Sequence, residues 1–413
     1  MSIFQISKRA IFTALFLSFV FAASVSAEKR DKISQLKDSI DAIVKTINCD
    51  VSIQVASANK YDLLYEYQPE KKMIPASISK LVTSAIALKF LGAGYEFKTV
   101  LYTDDVNISD GVINGNLYIK GYGDPEFDTA DLFTLIKKFL ALNITEITGN
   151  IVYDDSYLDK EYFGLADYYS GDTKLQYWPF VNALCIDRNA SRTNPSVVIA
   201  NTIEYEFRDK NVKLGGIIVA GITPDSPKEI ARITHSMAEV LANMNKPSDN
   251  HYAITLFKVV GAVHYSAPGT LNKGADAVVE LFTSIGISRS EYEFLEGSGL
   301  TRFNYATSNV YIQLLKYMFD DVKTFDIFYN SLPVAGVDGT LKKRMLDTEA
   351  MYNVHAKTGS INGVSTLAGY AISRDNELLI FFIAMNGFKG ANWAPYRDKQ
   401  DEICEVLCSF SRK

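Results

Sequence analysis

From Asp31 to Ile47 the apolar positions Ile33, Leu36, Ile40, Ile43, Val44 and Ile47 recur at steps of three and four, which predicts an amphipathic helix with one buried stripe. Two runs of strand character follow, Val51 to Ala56 and Tyr61 to Tyr67, joined by the turn-forming Ser57-Ala58-Asn59-Lys60. A second such pair lies near the other end, Leu367 to Ile372 and Glu377 to Met385 across Ser373-Arg374-Asp375-Asn376, and a last helix is expected from about Pro395 to Phe410. A helix and hairpin at the start, with strands and a helix at the end, predict that the two termini complete one antiparallel sheet with helices on its face, an α+β arrangement.

The middle of the chain has a different texture. Between about Gly92 and Pro227, short alternating runs at Thr99 to Tyr102, Asn116 to Ile119 and Asn150 to Tyr153 are broken by Gly, Asn and Asp. This reads as a β-rich inserted domain with Thr223-Pro224-Asp225-Ser226-Pro227 as its exit linker. Lys228 to Met244 then returns to helical spacing.

The amino terminus is a targeting pattern. Lys8 and Arg9 precede an apolar stretch from Ala10 to Ala23 and then Val25-Ser26-Ala27, a signal peptide expected to be cut before Glu28. The apolar stretch is shorter than the ~20 residues a spanning helix needs. The expected organisation is therefore residues 1–27 as signal peptide, 28–92 and 226–413 as a discontinuous catalytic domain, and 93–225 as the insert.

Composition narrows the class. Hydrophobic residues make up 47% and aromatics 12%, enough for sizeable cores and incompatible with a disordered chain. Losing Lys8 and Arg9 takes the formal charge from −6 to −8, so no basic excess exists for nucleic acid. The 4 histidines and 4 cysteines contain no His-x-x-x-His or Cys-x-x-Cys spacing, so neither metal nor cofactor is expected. Any disulfide is expected to tie Cys49 to Cys404 or Cys408, leaving Cys185 free.

Three short motifs carry candidate chemistry. In Ser77-Ile78-Ser79-Lys80, a serine and a lysine one helical turn apart share a face, and a desolvated lysine can take the hydroxyl proton. Ser34-x-x-Lys37 and Ser57-x-x-Lys60 have the same spacing, but only Ser77 opens a strongly apolar helix, where free amides favour an oxyanion. Ser248-Asp249-Asn250 offers a proton-relaying hydroxyl, and Asn250 can hold a lysine head and a substrate amide. The same residues are ordinary cap and turn formers. Lys357-Thr358-Gly359, followed by Ser360, ends the run Met351 to Ala356. Its lysine and threonine suit a substrate carboxylate and its glycine a close backbone approach, although a strand ending in a glycine turn would look alike.

Other segments accompany the trio: Ile74-Pro75-Ala76-Ser77, Gly121-Tyr122-Gly123-Asp124-Pro125, Glu296-Gly297-Ser298-Gly299-Leu300, Leu332-Pro333-Val334-Ala335-Gly336 and Asp338-Gly339-Thr340. Together they resemble the class C low-molecular-mass penicillin-binding proteins, D-alanyl-D-alanine carboxypeptidases and endopeptidases with a large insert. The Ser-x-x-Lys, Ser-Asp-Asn and Lys-Thr-Gly set is shared with β-lactamases. The resemblance implies a transpeptidase-like fold, an antiparallel sheet flanked by helices plus a helical subdomain. It also implies a periplasmic enzyme acting on peptidoglycan stem peptides and inhibited by β-lactams.

By the same resemblance Ser77 is the nucleophile and Lys80 receives its proton. Ser248, Asn250 and Lys357 carry the proton network, Thr358 holds the terminal carboxylate, and the amides of Ser77 and Ser360 form the oxyanion hole beside Gly359. Asp154, in Gly149-Asn150-Ile151-Val152-Tyr153-Asp154, matches an acidic residue that meets the free amine of the substrate's diamino acid. The likeness is weakest from Asn189 to Lys213, where the insert is shorter than in familiar members. Two alternatives use the same fold, a β-lactamase and a catalytically inactive cell-wall binding protein. The first is disfavoured by the 171 positions from Ser77 to Ser248 and by the lack of a Glu-x-x-Leu-Asn element, the second by retention of all three motifs.

Overall fold

The structure is a computed structural model that describes residues 32–164 and 171–413. The signal peptide expected over residues 1–27 lies outside the described residues.

A five-stranded antiparallel sheet has the order β13 (Val354–Ile361), β14 (Val364–Ile372), β15 (Leu378–Asn386), β1 (Asp50–Ser57) and β2 (Leu63–Tyr67). The termini do share it: Val51 pairs with Met385 and Ile53 with Ile383. Along β15, Leu379, Phe381, Ile383 and Met385 face one hydrophobic cluster, while Ile380, Phe382 and Ala384 face another. Burial on both faces makes this strand read as one apolar run. The first cluster holds α1 (residues 32–44), with Leu36, Ile40 and Val44 as its buried stripe, and α10 (Ala394–Ser409).

The opposite face carries the helical part: α2 (Ser79–Phe90), α5 (Met237–Asn245), α6 (Asn250–His264), α7 (Leu271–Ser284), α8 (Ser308–Asp320) and α9 (Phe325–Ser331). α2 is buried around most of its circumference, Ser79 through Leu88 all being shielded, because α5, α6 and α7 surround it. The two-stranded ladder β11 (Tyr292–Glu293) and β12 (Tyr305–Ala306) brackets the 296–302 turn beside it.

A second five-stranded sheet has the order β10 (Lys228–Ser236), β3 (Glu96–Thr103), β5 (Leu117–Gly121), β7 (Ile151–Asp154) and β9 (Ile218–Ala220). β5, β7 and β9 run parallel, linked through α3 (Thr129–Leu140) and α4 (Pro195–Asp209), so this region is richer in helix than the sequence reading expected. A small parallel sheet of β4 (Val112–Ile113), β6 (Glu146–Ile147) and β8 (Lys213–Leu214) extends it.

One further expectation fails. Lys228–Ser236 is a strand with Ala231 and Ile233 inward, and helix begins only at Met237, so the second sheet runs to Ser236. All four cysteines are free: Cys404 and Cys408 sit on the buried side of α10, and Cys49 packs against the same cluster without bonding to either.

Candidate active site

Ser77 lies in a single 3-10 turn, Ala76–Ile78, that leads into α2. This turn is held from several sides. The Thr366 hydroxyl donates to Pro75 O at 2.7 Å, and Asn386 brackets the Ile74 peptide, accepting from its N–H at 2.7 Å and donating to its carbonyl at 3.3 Å. Ala76 adopts φ +50°, a left-handed conformation costly for a residue with a Cβ. Such strain persists only because neighbours fix it, and it turns the Ser77 side chain toward the cleft.

Two glycines make room. A Cβ on Gly359 would lie 2.6 Å from Pro75 O and 3.0 Å from Ser77 N, and one on Gly299 would collide with the Ala76 carbonyl. β13 therefore passes directly over the serine turn, and the Lys-Thr-Gly triplet lies within the strand, which continues to Ile361.

Lys80 is fully buried, one turn into the apolar core from Ser77. Its Nζ stands 3.1 Å from Ser77 Oγ, 2.7 Å from Asn250 Oδ1 and 2.8 Å from Ser298 O. Burial lowers its pKa to about 8, against a smaller upward pull from Glu296 and Asp249. Lys357 is itself fully buried and held well below the ordinary lysine range by burial and by the charge of Lys80.

Lys357 Nζ donates to Ser248 Oγ at 2.7 Å and to Thr358 O at 2.9 Å, so the second and third motifs meet. Ser248 has φ +66°, and Asp249 caps α6 by accepting from His251 N and Tyr252 N, which points Asn250 at Lys80. Thr358 Oγ1 donates to Thr340 Oγ1 at 2.8 Å, and Thr340 N donates to Lys246 O, so the 332–340 segment props the Ser248 loop. Ser360 Oγ accepts from Arg397 of α10 at 3.2 Å. Ser77, Lys80, Ser248, Asn250, Lys357, Thr358, Gly359 and Ser360 thus form one cleft.

The competing Ser-x-x-Lys pairs separate cleanly. Ser34 and Lys37 are exposed on α1, and Lys60 turns away to Glu377 at 2.8 Å.

Asp154 is engaged within the protein. It is fully buried at the end of β7: Oδ1 accepts from Ser156 N and Oγ, and Oδ2 from Thr223 N at 2.8 Å and Lys120 Nζ at 3.0 Å. With both oxygens engaged, no acceptor is left for a substrate ammonium.

Glu296, in the Glu296-Gly297-Ser298-Gly299-Leu300 segment, carries no functional signal of its own in the sequence. It is fully buried and holds the turn that carries Ser298 O. A carboxylate in a Gly-Ser-Gly stretch says nothing of the lysine it serves until the chain is folded.

A buried serine–lysine pair under a strand edge, with a second lysine on a serine, defines a serine acyl-transfer enzyme. The chain belongs to the D-Ala-D-Ala carboxypeptidase 3 (S13) family, which it matches over residues 36–198 and 190–407, and it is a serine peptidase. It is 22% identical to the D-alanyl-D-alanine carboxypeptidase DacB of Haemophilus influenzae, over 82% of this chain and 86% of that protein. It is 25% identical to the D-alanyl-D-alanine carboxypeptidase of an Actinomadura species, over 92% and 86%. The crystal structure of penicillin binding protein 4 from Haemophilus influenzae superposes with a TM-score of 0.78 at 22% identity, covering 88% of this chain and 98% of that one.

Proposed function

We propose that the protein is a periplasmic D,D-peptidase of peptidoglycan, removing terminal D-alanine or cutting D,D cross-links through an acyl-enzyme on Ser77. The observation that carries this reading is the contact of Ser77 Oγ with the buried, depressed Lys80. Neutral Lys80 takes the hydroxyl proton as Oγ adds to the carbonyl carbon. The amides of Ser77 and Ser360 receive the oxyanion, a preorganised pair across the Gly359 approach. The leaving D-alanine amine takes the proton held on Lys80 by way of the Ser248 hydroxyl, while Asn250 Oδ1 holds Lys80 and Lys357 holds Ser248; water then adds to the acyl carbonyl, releasing the peptide and returning a proton to Ser77 Oγ. Thr358 and Lys357 hold the substrate carboxylate, whose negative charge favours the ammonium form of that lysine, the proton coming from solvent.

Export rests on the amino-terminal pattern of residues 8–27; among the described residues no helix is long and apolar enough to cross a membrane. Penicillin binding is named for the Haemophilus structure, and the same acyl chemistry is expected here. Residues 93–236 are read as an insert that leaves the catalytic domain after α2 and returns at α5. Intact mass after exposure to penicillin, followed by peptide mapping and digestion of purified muropeptides, tests this reading. A penicillin adduct mapped away from Ser77, or purified muropeptides left intact, would end it.

A further inference from the structure

The turn behind Lys80 is built around one carboxylate. Glu296 Oε2 accepts from Ser298 N at 2.6 Å and Ser298 Oγ at 2.5 Å; Oε1 accepts from Gly299 N at 2.7 Å and Thr301 N at 3.3 Å. Three main-chain amides and a hydroxyl converge on a side chain with no exposed surface. Burial pushes the Glu296 carboxyl above its ordinary range, against the opposing pull of the hydrogen bonds from Ser298 and Thr301 and the charge of Lys80; acceptance on both oxygens still suits the anion, because a protonated acid would set its O–H against a donor. The turn does two things at the cleft. It presents Ser298 O to Lys80 Nζ at 2.8 Å, and it lays Gly299, at φ +78°, against the carbonyl of Ala76. Asp172 locks the outside of the same turn, accepting from Thr301 Oγ1 and Arg302 N at 2.8 Å each.

We propose that Glu296 is a positioning residue for acylation: its buried anion fixes Ser298 O on Lys80 and, through its charge, sets how readily that lysine takes the serine proton. The ionisable groups facing Lys80 are Glu296 from this turn, Asp249 from the α6 cap and Lys357 from β13. Of these, Glu296 favours the ammonium most strongly. Glu296 thus trades some of the neutral base for a lysine held in line with Ser77. This inference rests on the acyl-enzyme reading, so wild-type acylation at Ser77 is mapped first; failure there overturns both, whereas the variants below overturn this one alone.

The test is the rate of acylation by a fluorescent penicillin across pH 5.5–9.5 (a working range of about four units around the neutralisation of a depressed lysine). In Glu296→Gln the amide must point a donor at an N–H. The plateau rate should fall by roughly 10- to 100-fold, and the rising limb should move to lower pH by about half a unit to one unit, since loss of the anion favours neutral Lys80. A purely structural role would lower the plateau and leave the limb in place, and that result overturns the electrostatic part. Glu296→Asp keeps the charge and shortens the reach. It should hold the limb near its wild-type position while lowering the plateau, and a wild-type plateau in this variant overturns the positioning part. Should Glu296→Gln fail to fold, Glu296→Asp decides: a limb displaced from wild type, or an unchanged plateau, counts against the proposal.

Discussion

The cleft around Lys80 and the corner around Asp154 are both places where a lysine and polar groups leave water, and they are wired in opposite ways. Lys80 touches only neutral atoms, a hydroxyl, an amide oxygen and a carbonyl. Lys120, partly exposed, is paired with a fully buried carboxylate that amides and a hydroxyl also hold. Without an ionic partner, burial lowers the lysine pKa and leaves a base ready to act. With one, charge is fixed in place and the site becomes a fastening; burial pushes the Asp154 pKa up, and the hydrogen bonds from Ser156 and Thr223 more than reverse it.

The largest expected effect in this comparison is at the nucleophile. Ser77→Ala should abolish the covalent penicillin adduct in intact mass spectra, while the protein keeps its fold because Ser77 is only partly buried. Next comes Lys80→Arg, which places an always-charged group where a neutral base is needed. Its acylation rate should fall by roughly a thousandfold or more, and stopped-flow acylation at the wild-type rate would reduce Lys80 to scaffolding. The wild-type enzyme itself supplies a third check. Lys80 is lowered to about 8, so the active neutral form is the minor one at pH 7, and acylation should climb with pH through about 8. The sign follows from the required species, since raising pH removes the proton that blocks the base. A rate that falls over that interval would point to a protonated lysine as the active form.

At the other region the expectation concerns stability. Asp154→Asn removes the charge opposite Lys120 and puts an amide among N–H donors, at a cost of about 2–3 kcal/mol. The melting temperature should drop by several degrees, and turnover of peptides with free and acetylated amines should change by the same factor. A selective loss on the free amine would restore the substrate-reading role that the resemblance implied. The smallest effect is from reductant: with four free thiols, dithiothreitol should leave the melting temperature within about 1 °C, whereas breaking a bridge would cost about 2–4 kcal/mol.

What the sequence revealed follows from how local each signal was. The two hairpins that meet in the catalytic sheet were legible because their alternation and turn residues lie within a few positions of one another, and β1 does pair with β15. Lys228–Ser236 misled because Ile230, Ile233, Met237, Val240, Leu241 and Met244 keep steps of one, three and four across a strand and the helix after it. Only the alternation of Ala231 and Ile233 reported the strand, and it is short. The three motifs were readable, but their assembly is not a sequence property: Lys80 and Asn250 are brought together by the α2 and α6 packing. The burial of Asp154 was not legible, because its partners Lys120 and Thr223 come from distant segments. Glu296 was invisible as a functional group for the same reason.

The pairing of Val51 with Met385 also has a consequence for how the molecule comes into being. The first strand of the catalytic sheet is made early, yet its neighbour β15 follows it by 334 positions, counted from Val51 to Met385. Ser77 and Lys80 share one short stretch from the outset, but the strand that roofs them and the one that carries Asn386 to the Ile74 peptide are made far later. Long-range closure of this kind is slow. A truncated or still-growing polypeptide would carry the nucleophile and remain inert, so reactivity toward penicillin in a nascent-chain experiment would serve as a clock for completion of the sheet.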